Sequence, residues 1–509
     1  LMRMRVFLCV LMGWFVGTIH AQLLPPIYNY APSVCSGESQ NWKICQAINQ
    51  KIYFANNIGL LEFNGVVWQH YPLPNGAIVR AVNAKGNTIY TGGFAEFGYW
   101  QADAFNRLQY TSLSKRLPPK DIEDEEVWKI VFFDHWVLFQ SLHKLYIYDS
   151  QHDRFHIVHS QNNLPKIFKV GEHIFFQKMN EGLFALVNGK EELRSEASLF
   201  REHIVINIFP YKGKFLFVTQ DKGIYEGTPA EVRPWQVSTG ALTSSLNIYS
   251  CEQLSDGSIL LGTIANGVYR LSPEGQLWEH LHQKQGLQNN TVLSIFEDKE
   301  RNVWLGLDNG ISMVNFFSPF RQYKDNEGVL GAVYTSIVYQ GDLYLGTNQG
   351  LFYAPFPLKA GQSFQLVEGT KGQVWQLKEL QGTLFCGHNS GTFVINNHRA
   401  QLVCNLLGTW DIKPVEGHPN WLLQGNYEGL YLLELKEGRW QYRNKITGFN
   451  VSSRFFEFIS PTELLVSHEY KGVFQLQLSP DFTRVLQVHK ETSAPMGRKS
   501  AIAKYRNEI

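Results

Sequence analysis

The sequence predicts an all-β chain of tandem β-propellers with four-stranded antiparallel blades, the first ring seven-bladed and the second incomplete. Three observations predict it. A short apolar run, a small turn and a second apolar run recur eleven times, with the turn position at Gly59, Gly98, Lys144, Gly182, Gly223, Gly267, Gly310, Gly350, Gly391, Gly429 and Gly472. Steps of 38 to 46 residues between neighbours mark a repeat architecture. The apolar residues do not fall at i, i+3, i+4 and i+7, so a helical repeat is excluded. The chain also carries 13 Trp, 23 Tyr and 34 Phe, a load suited to sheets buried on both faces between neighbours.

Each repeat reads strand by strand. In the seventh, Val292-Leu-Ser-Ile-Phe-Glu297 alternates as a first strand and Lys299-Glu-Arg-Asn302 is a polar turn. Val303 to Leu307 forms a second strand and Asp308-Asn-Gly310 a hairpin turn, since Asn-Gly supplies the positive φ a tight hairpin needs. Ile311 to Val314 is a third strand, and Phe320-Arg-Gln-Tyr323 reads as the fourth.

Eleven blades exceed the four to eight that close one ring. The chain therefore divides into a first propeller over residues 22–318 and a second over 319–509, with Ser318-Pro319 at the junction because proline lacks a ladder N–H. Ser500 to Tyr505 reads as another first strand, which truncates the second ring in its fifth blade and marks the sequence as a fragment. Residues 1–21 read as a signal peptide: Arg3 and Arg5, an apolar stretch from Val6 to Ile19, and Ala21 before the cut. Export to the periplasm follows. The 46 Lys plus Arg against 45 Asp plus Glu give no global charge signal for nucleic acid or anionic lipid. Mature Cys35, Cys45, Cys251, Cys386 and Cys404 are an odd, sparse set, leaving open a Cys35–Cys45 bridge or plain buried thiols.

No nucleotide loop, zinc or calcium motif or nucleophile elbow appears, so no catalytic residue, metal or cofactor is assigned. His152, His156 and His159 do not share one strand face, and the run Asp121 to Glu126 reads as a solvated loop. One pattern points to a ligand. Aligned first strands place Lys43, Arg80, Lys129 and Lys169 at one position in four consecutive blades, and later blades have no Lys or Arg there. First strands line the central channel, so these cations are expected to receive a carboxylate or sulfate.

The repeats resemble the two-component-regulator propeller family. The resemblance runs through Gly286-Leu-Gln-Asn-Asn-Thr-Val-Leu-Ser-Ile-Phe-Glu-Asp298, Asn302-Val-Trp-Leu-Gly306 and Asn309-Gly-Ile311, with Leu307 where the family usually has Thr. Gln40 to Ile44, Tyr53 to Asn56, Gly59 to Gly65 and Glu96 to Trp100 resemble a branch with a triple-tyrosine domain. In that branch a membrane helix and a LuxR-type helix-turn-helix follow, and in its sister branch a histidine kinase. The third repeat departs most, with Lys144 in the glycine slot. The resemblance implies a periplasmic, non-enzymatic sensor of a membrane-spanning regulator, with a small-molecule or oligosaccharide ligand. It also implies an anchor and output domain beyond Ile509, room for a homodimer, and no nucleic acid bound by this segment. The competing readings are a secreted propeller enzyme acting on polysaccharide and a secreted interaction propeller without signalling.

Overall fold

The computed structural model describes residues 23–325, 328–358, 362–493, 497, 499–506, 508 and 509, so the expected signal peptide lies outside the described residues. The chain divides into two compact units, Leu24–Gln322 and, in the main, Tyr323–Ile509. Each of eleven sheets is antiparallel and four-stranded, the content of one blade.

In the first unit the opening sheet is Asn41–Gln46, Ile52–Asn56, Gly59–Phe63 and Trp68–Tyr71, in that order. Five similar sheets follow. Their first strands are Val79–Lys85, Lys129–Phe133, Ile167–Val170, Val205–Tyr211 and Ile248–Gln253. The seventh sheet holds Val292–Glu297, Val303–Leu307 and Ile311–Val314. Consecutive first strands are neighbours, and Val292–Glu297 lies against Asn41–Gln46, so the series returns to its start.

The fourth strand of the seventh sheet is not Phe320 to Tyr323, as the repeat pattern predicts. It is Ile27–Tyr30 from the beginning of the unit, paired with Ile27 opposite Val314 and Tyr30 opposite Ile311. Phe320 and Arg321 belong to no strand, and only Gln322–Tyr323 is extended. The physical reason is closure: borrowing a strand from the other end ties the cycle with main-chain hydrogen bonds and covers an edge that would otherwise stay unpaired.

The glycine that recurs in several second strands has a packing cause. A Cβ on Gly92 would lie 2.5 Å from Val127 Cγ1, one on Gly262 would lie 2.8 Å from Val292 Cγ1, and one on Gly306 would lie 2.5 Å from the Asn41 carbonyl oxygen. In each case the neighbour enters the next sheet. Apolar clusters fill the same junctions; one joins Leu260 and Val268 to Val292, Ile295 and Leu305. Another joins Ile44, Phe54 and Leu61 to Trp304 and Ile311 across the closure.

Buried Asp298 pins the turn of the seventh sheet. Its Oδ1 accepts from the Asn302 amide at 2.8 Å and its Oδ2 accepts from Trp304 Nε1 at 2.8 Å. Asp298→Ala leaves both donors without a partner. It is expected to cost about 1–3 kcal/mol per unsatisfied group, read as a lowered urea midpoint at unchanged slope.

The second unit holds four sheets, with first strands Val333–Tyr339, Val374–Leu380, Asp411–Val415 and Phe455–Ser460. The stretch from Ser500 to Tyr505 is not the strand its composition suggests. Residues 500–504 have no regular structure, and Tyr505 makes only an isolated bridge to Glu508. Cys35 and Cys45 are both free, buried in different apolar clusters, so the two are not bridged.

Candidate ligand-binding channel

Local register builds the first unit's channel. In five sheets the pairing of first with second strand skips one residue, a β-bulge that turns its side chain out of the ladder. The skipped residues are Trp42, Arg80, Ile206, Tyr249 and Leu293. All five line one cavity of about 250 Å3. In the third and fourth sheets the residues entering the inner strand take this place, Trp128 and Lys129 in one and Pro165 and Lys166 in the other.

This geometry corrects the expected cation ring. Lys43, Arg80 and Lys129 do line the cavity, but Lys169 does not; it is exposed, with its amine 6.0 Å from the Phe133 ring centroid. Lys166, which precedes its strand, takes the place predicted for Lys169. Nor are the four residues equivalent. Arg80 is itself the skipped residue, whereas Lys43 follows the skipped Trp42 and pairs with Ala55. A bulge inserts one residue without any local sequence mark, so matching by residue type slips at each one.

Arg80 is held from three sides. Its guanidinium sits 4.0 Å from the Trp42 ring centroid and 5.0 Å from that of Trp128, and its Nε donates to Glu126 at 2.8 Å. Its Nη1 is buried with no hydrogen-bond partner. The acidic run is therefore not simply solvated. Glu126 positions Arg80, and buried Glu125 accepts from Ser141 Oγ and lies 3.5 Å from Lys144 Nζ.

The lysines have no such partners. Among the described residues, no carboxylate lies within ion-pair distance of the amines of Lys43, Lys129 or Lys166. Lys129 and Lys166 instead approach ring faces, at 4.9 Å from Phe168 and 5.5 Å from Tyr249. Burial, then the charges of Lys43 and Lys166, push the Lys129 amine well below its ordinary value. Burial and the Lys43 charge bring Lys166 down to about 8. Glu252, on the same strand as Tyr249, is raised by burial even though Lys43 and Lys129 favour its ionised form. It lines a second cavity with Lys43 and Glu297. Burial also raises the Tyr249 hydroxyl and the Cys251 thiol. The channel thus gathers more positive charge than its own acids neutralise, in a setting with little water to screen it.

Lys166 makes stability depend on pH. Lys166 loses its proton in the folded state near pH 8, while the unfolded chain keeps it to about 10.4. Between those values the unfolded state binds more protons, so this group makes stability rise with pH. An anion needs the protonated amine, so its affinity falls over the same window. Melting curves with and without a bound anion between pH 7.5 and about 10 are expected to show these opposite slopes.

The family model for the two component regulator propeller matches residues 286–309, the stretch that carries the motif noted above. No curated protein sequence matches the chain. Among solved structures, the fold is similar to the extracellular domain assigned to the hybrid two component system BT3049 of B. thetaiotaomicron. That match has a TM-score of 0.64 and 15% identity, over 92% of this chain and 67% of that one. The extracellular domain assigned to the one component system BT4673 of the same organism aligns over 91% of this chain and 67% of its own, at 18% identity and a TM-score of 0.47. The chain shares its sheet architecture with the first of these extracellular domains. Among the described residues no helix is long and apolar enough to cross a membrane.

Proposed function

We propose that the chain is the ligand-sensing periplasmic part of a membrane-spanning signal-transduction regulator, built as two tandem propellers, and that it binds an anionic oligosaccharide fragment in the first channel. The observation that carries the binding site is the set of three lysine amines with no carboxylate at ion-pair distance among the described residues, beside an Arg80 with one buried, unpartnered Nη1. Partly buried cations without a close partner are costly, and a carboxylate or sulfate from outside would offset that cost. The match to the regulator propeller family supports the sensing role. Ligand binding would then reweight two arrangements of the whole receptor, because only a difference in affinity between states shifts an equilibrium. On this reading the segment has no catalytic function. A membrane anchor and an output module, kinase or DNA-binding, belong to sequence beyond Ile509, and a homodimer is the natural signalling unit.

Calorimetry of the whole chain with uronic-acid and neutral oligosaccharides of equal length tests the site. Uronic acids are expected to bind and their neutral counterparts to bind at least tenfold more weakly, with affinity falling as salt rises. Equal binding of both classes would remove the electrostatic role of the channel.

A further inference from the structure

Four basic side chains meet in the channel of the first unit, and the fold does not treat them alike. Arg80 is fixed by Glu126 and by the rings of Trp42 and Trp128. Lys43, Lys129 and Lys166 line the same cavity of about 250 Å3, and among the described residues their amines make no hydrogen bond or ion pair. The strand Lys129–Phe133 lies between Val79–Lys85, which carries Arg80, and Ile167–Val170, which follows Lys166. Lys129 is therefore flanked by a cation on each side.

Like charges in one small, poorly hydrated cavity repel, and the repulsion is relieved when one amine gives up its proton. Lys129 is the amine placed to do so. Its Nζ rests 4.9 Å from the Phe168 ring centroid, with no acceptor to hold a proton on it. Burial, then Lys43 and Lys166, hold it well below its ordinary value, and Glu252 opposes them as the weakest of these influences.

A neutral amine is a nucleophile, which an ammonium is not. Exposed lysines keep their proton to about pH 10.4, so at pH 7 only about one in a few thousand is neutral. Lysines that form imines in enzymes are activated by the two features present around Lys129, an apolar setting and a neighbouring cation. Anion binding alone makes no use of that reactivity.

We propose that Lys129 captures a small α-oxo acid as an imine, with the ligand carboxylate held by the Arg80 guanidinium and the carbonyl carbon bonded to Lys129 Nζ. The nitrogen–carbon bond forms, the carbon–oxygen bond breaks, and the oxygen leaves as water with the two hydrogens of the amine. Lys166 lines the same cavity and keeps its proton to about pH 8, so it is the acid that assists the departure of water. The proposal rests on the channel taking an anion and adds a covalent bond to it.

The test is reductive trapping. The full chain is incubated at about pH 7 with pyruvate and cyanoborohydride, which reduces imines and spares ketones, and the labelled lysine is located by peptide mapping. One adduct, on Lys129, is expected. It should be absent from Lys129→Met and from Lys129→Arg, which keeps the charge, and unchanged in the exposed control Lys169→Met. Hydroxyacetone, the neutral counterpart, should label at least about tenfold more slowly because it lacks the bond to Arg80. No adduct, an adduct spread over exposed lysines, or equal rates for the two ketones would overturn the proposal. Calorimetry with the uronic-acid oligosaccharide separates the two claims: binding that persists without trapping strikes the imine alone, and loss of both strikes the anion site as well.

Discussion

Lys129→Met is expected to raise the stability of the chain and to remove its affinity for an anionic sugar fragment. Methionine keeps the unbranched stem and its contact with Phe168 while deleting an amine that burial and two neighbouring lysines hold well below its ordinary value. Replacing a poorly compensated buried charge by an apolar group of similar length is worth about 1–3 kcal/mol. The lost charge-assisted bond to ligand is worth roughly 1.5–3 kcal/mol, tenfold or more in affinity. Glu252 limits the gain, because Lys129 is one of two lysines that favour its ionised form. Lys169→Met is the matched control: that side chain is exposed and outside the cavity, so neither melting nor binding should move. A Lys129→Met variant that melts lower and binds as before would make the lysine a structural element.

Gly306→Val is expected to cause a large loss of stability by forcing the closure of the first unit apart. The added Cβ would meet the Ser294 hydroxyl at 2.2 Å and the Asn41 carbonyl at 2.5 Å, on the strand that joins the last sheet of the first unit to its first. Side chains can rotate aside, but a paired backbone carbonyl cannot do so without opening the closure. Overpacking of this kind typically costs about 1–3 kcal/mol and more where backbone must shift. A cost of about 3 kcal/mol or above is therefore expected, read from urea unfolding of the purified chain. Gly65→Val meets nothing around its Cβ, so its cost comes from the positive φ of +97° alone and not from overpacking.

These effects show which parts of the molecule are legible in one sequence. The repeat period and the glycines were readable because each obeys a local steric rule, as Gly306 and Gly262 illustrate. Ile27–Tyr30 was not, since its pairing with Ile311–Val314 spans the whole first unit and four residues carry no signal of a distant partner. The channel was half legible. Lys43, Arg80 and Lys129 stood out by composition, yet their alignment ignored the bulges that turn Arg80 into the cavity. Lys166 was missed because it looks like a loop residue before a strand. Lys169 was wrongly included because it sits inside one. A bulge changes the face of a side chain without changing its neighbours in sequence.

A cationic channel completed by an anion from outside must couple ligand binding to proton uptake. Lys166 titrates at about 8 in the free protein, and a bound carboxylate would hold its proton. Calorimetric titration of the chain with a uronic-acid oligosaccharide near pH 8.5, in two buffers of different ionisation heat, measures the protons exchanged. Net uptake of a fraction of a proton or more per ligand is expected, reduced in Lys166→Met, where only Lys129 is left to take up a proton. Binding with no proton exchange, or with equal affinity for the neutral sugar, would contradict it.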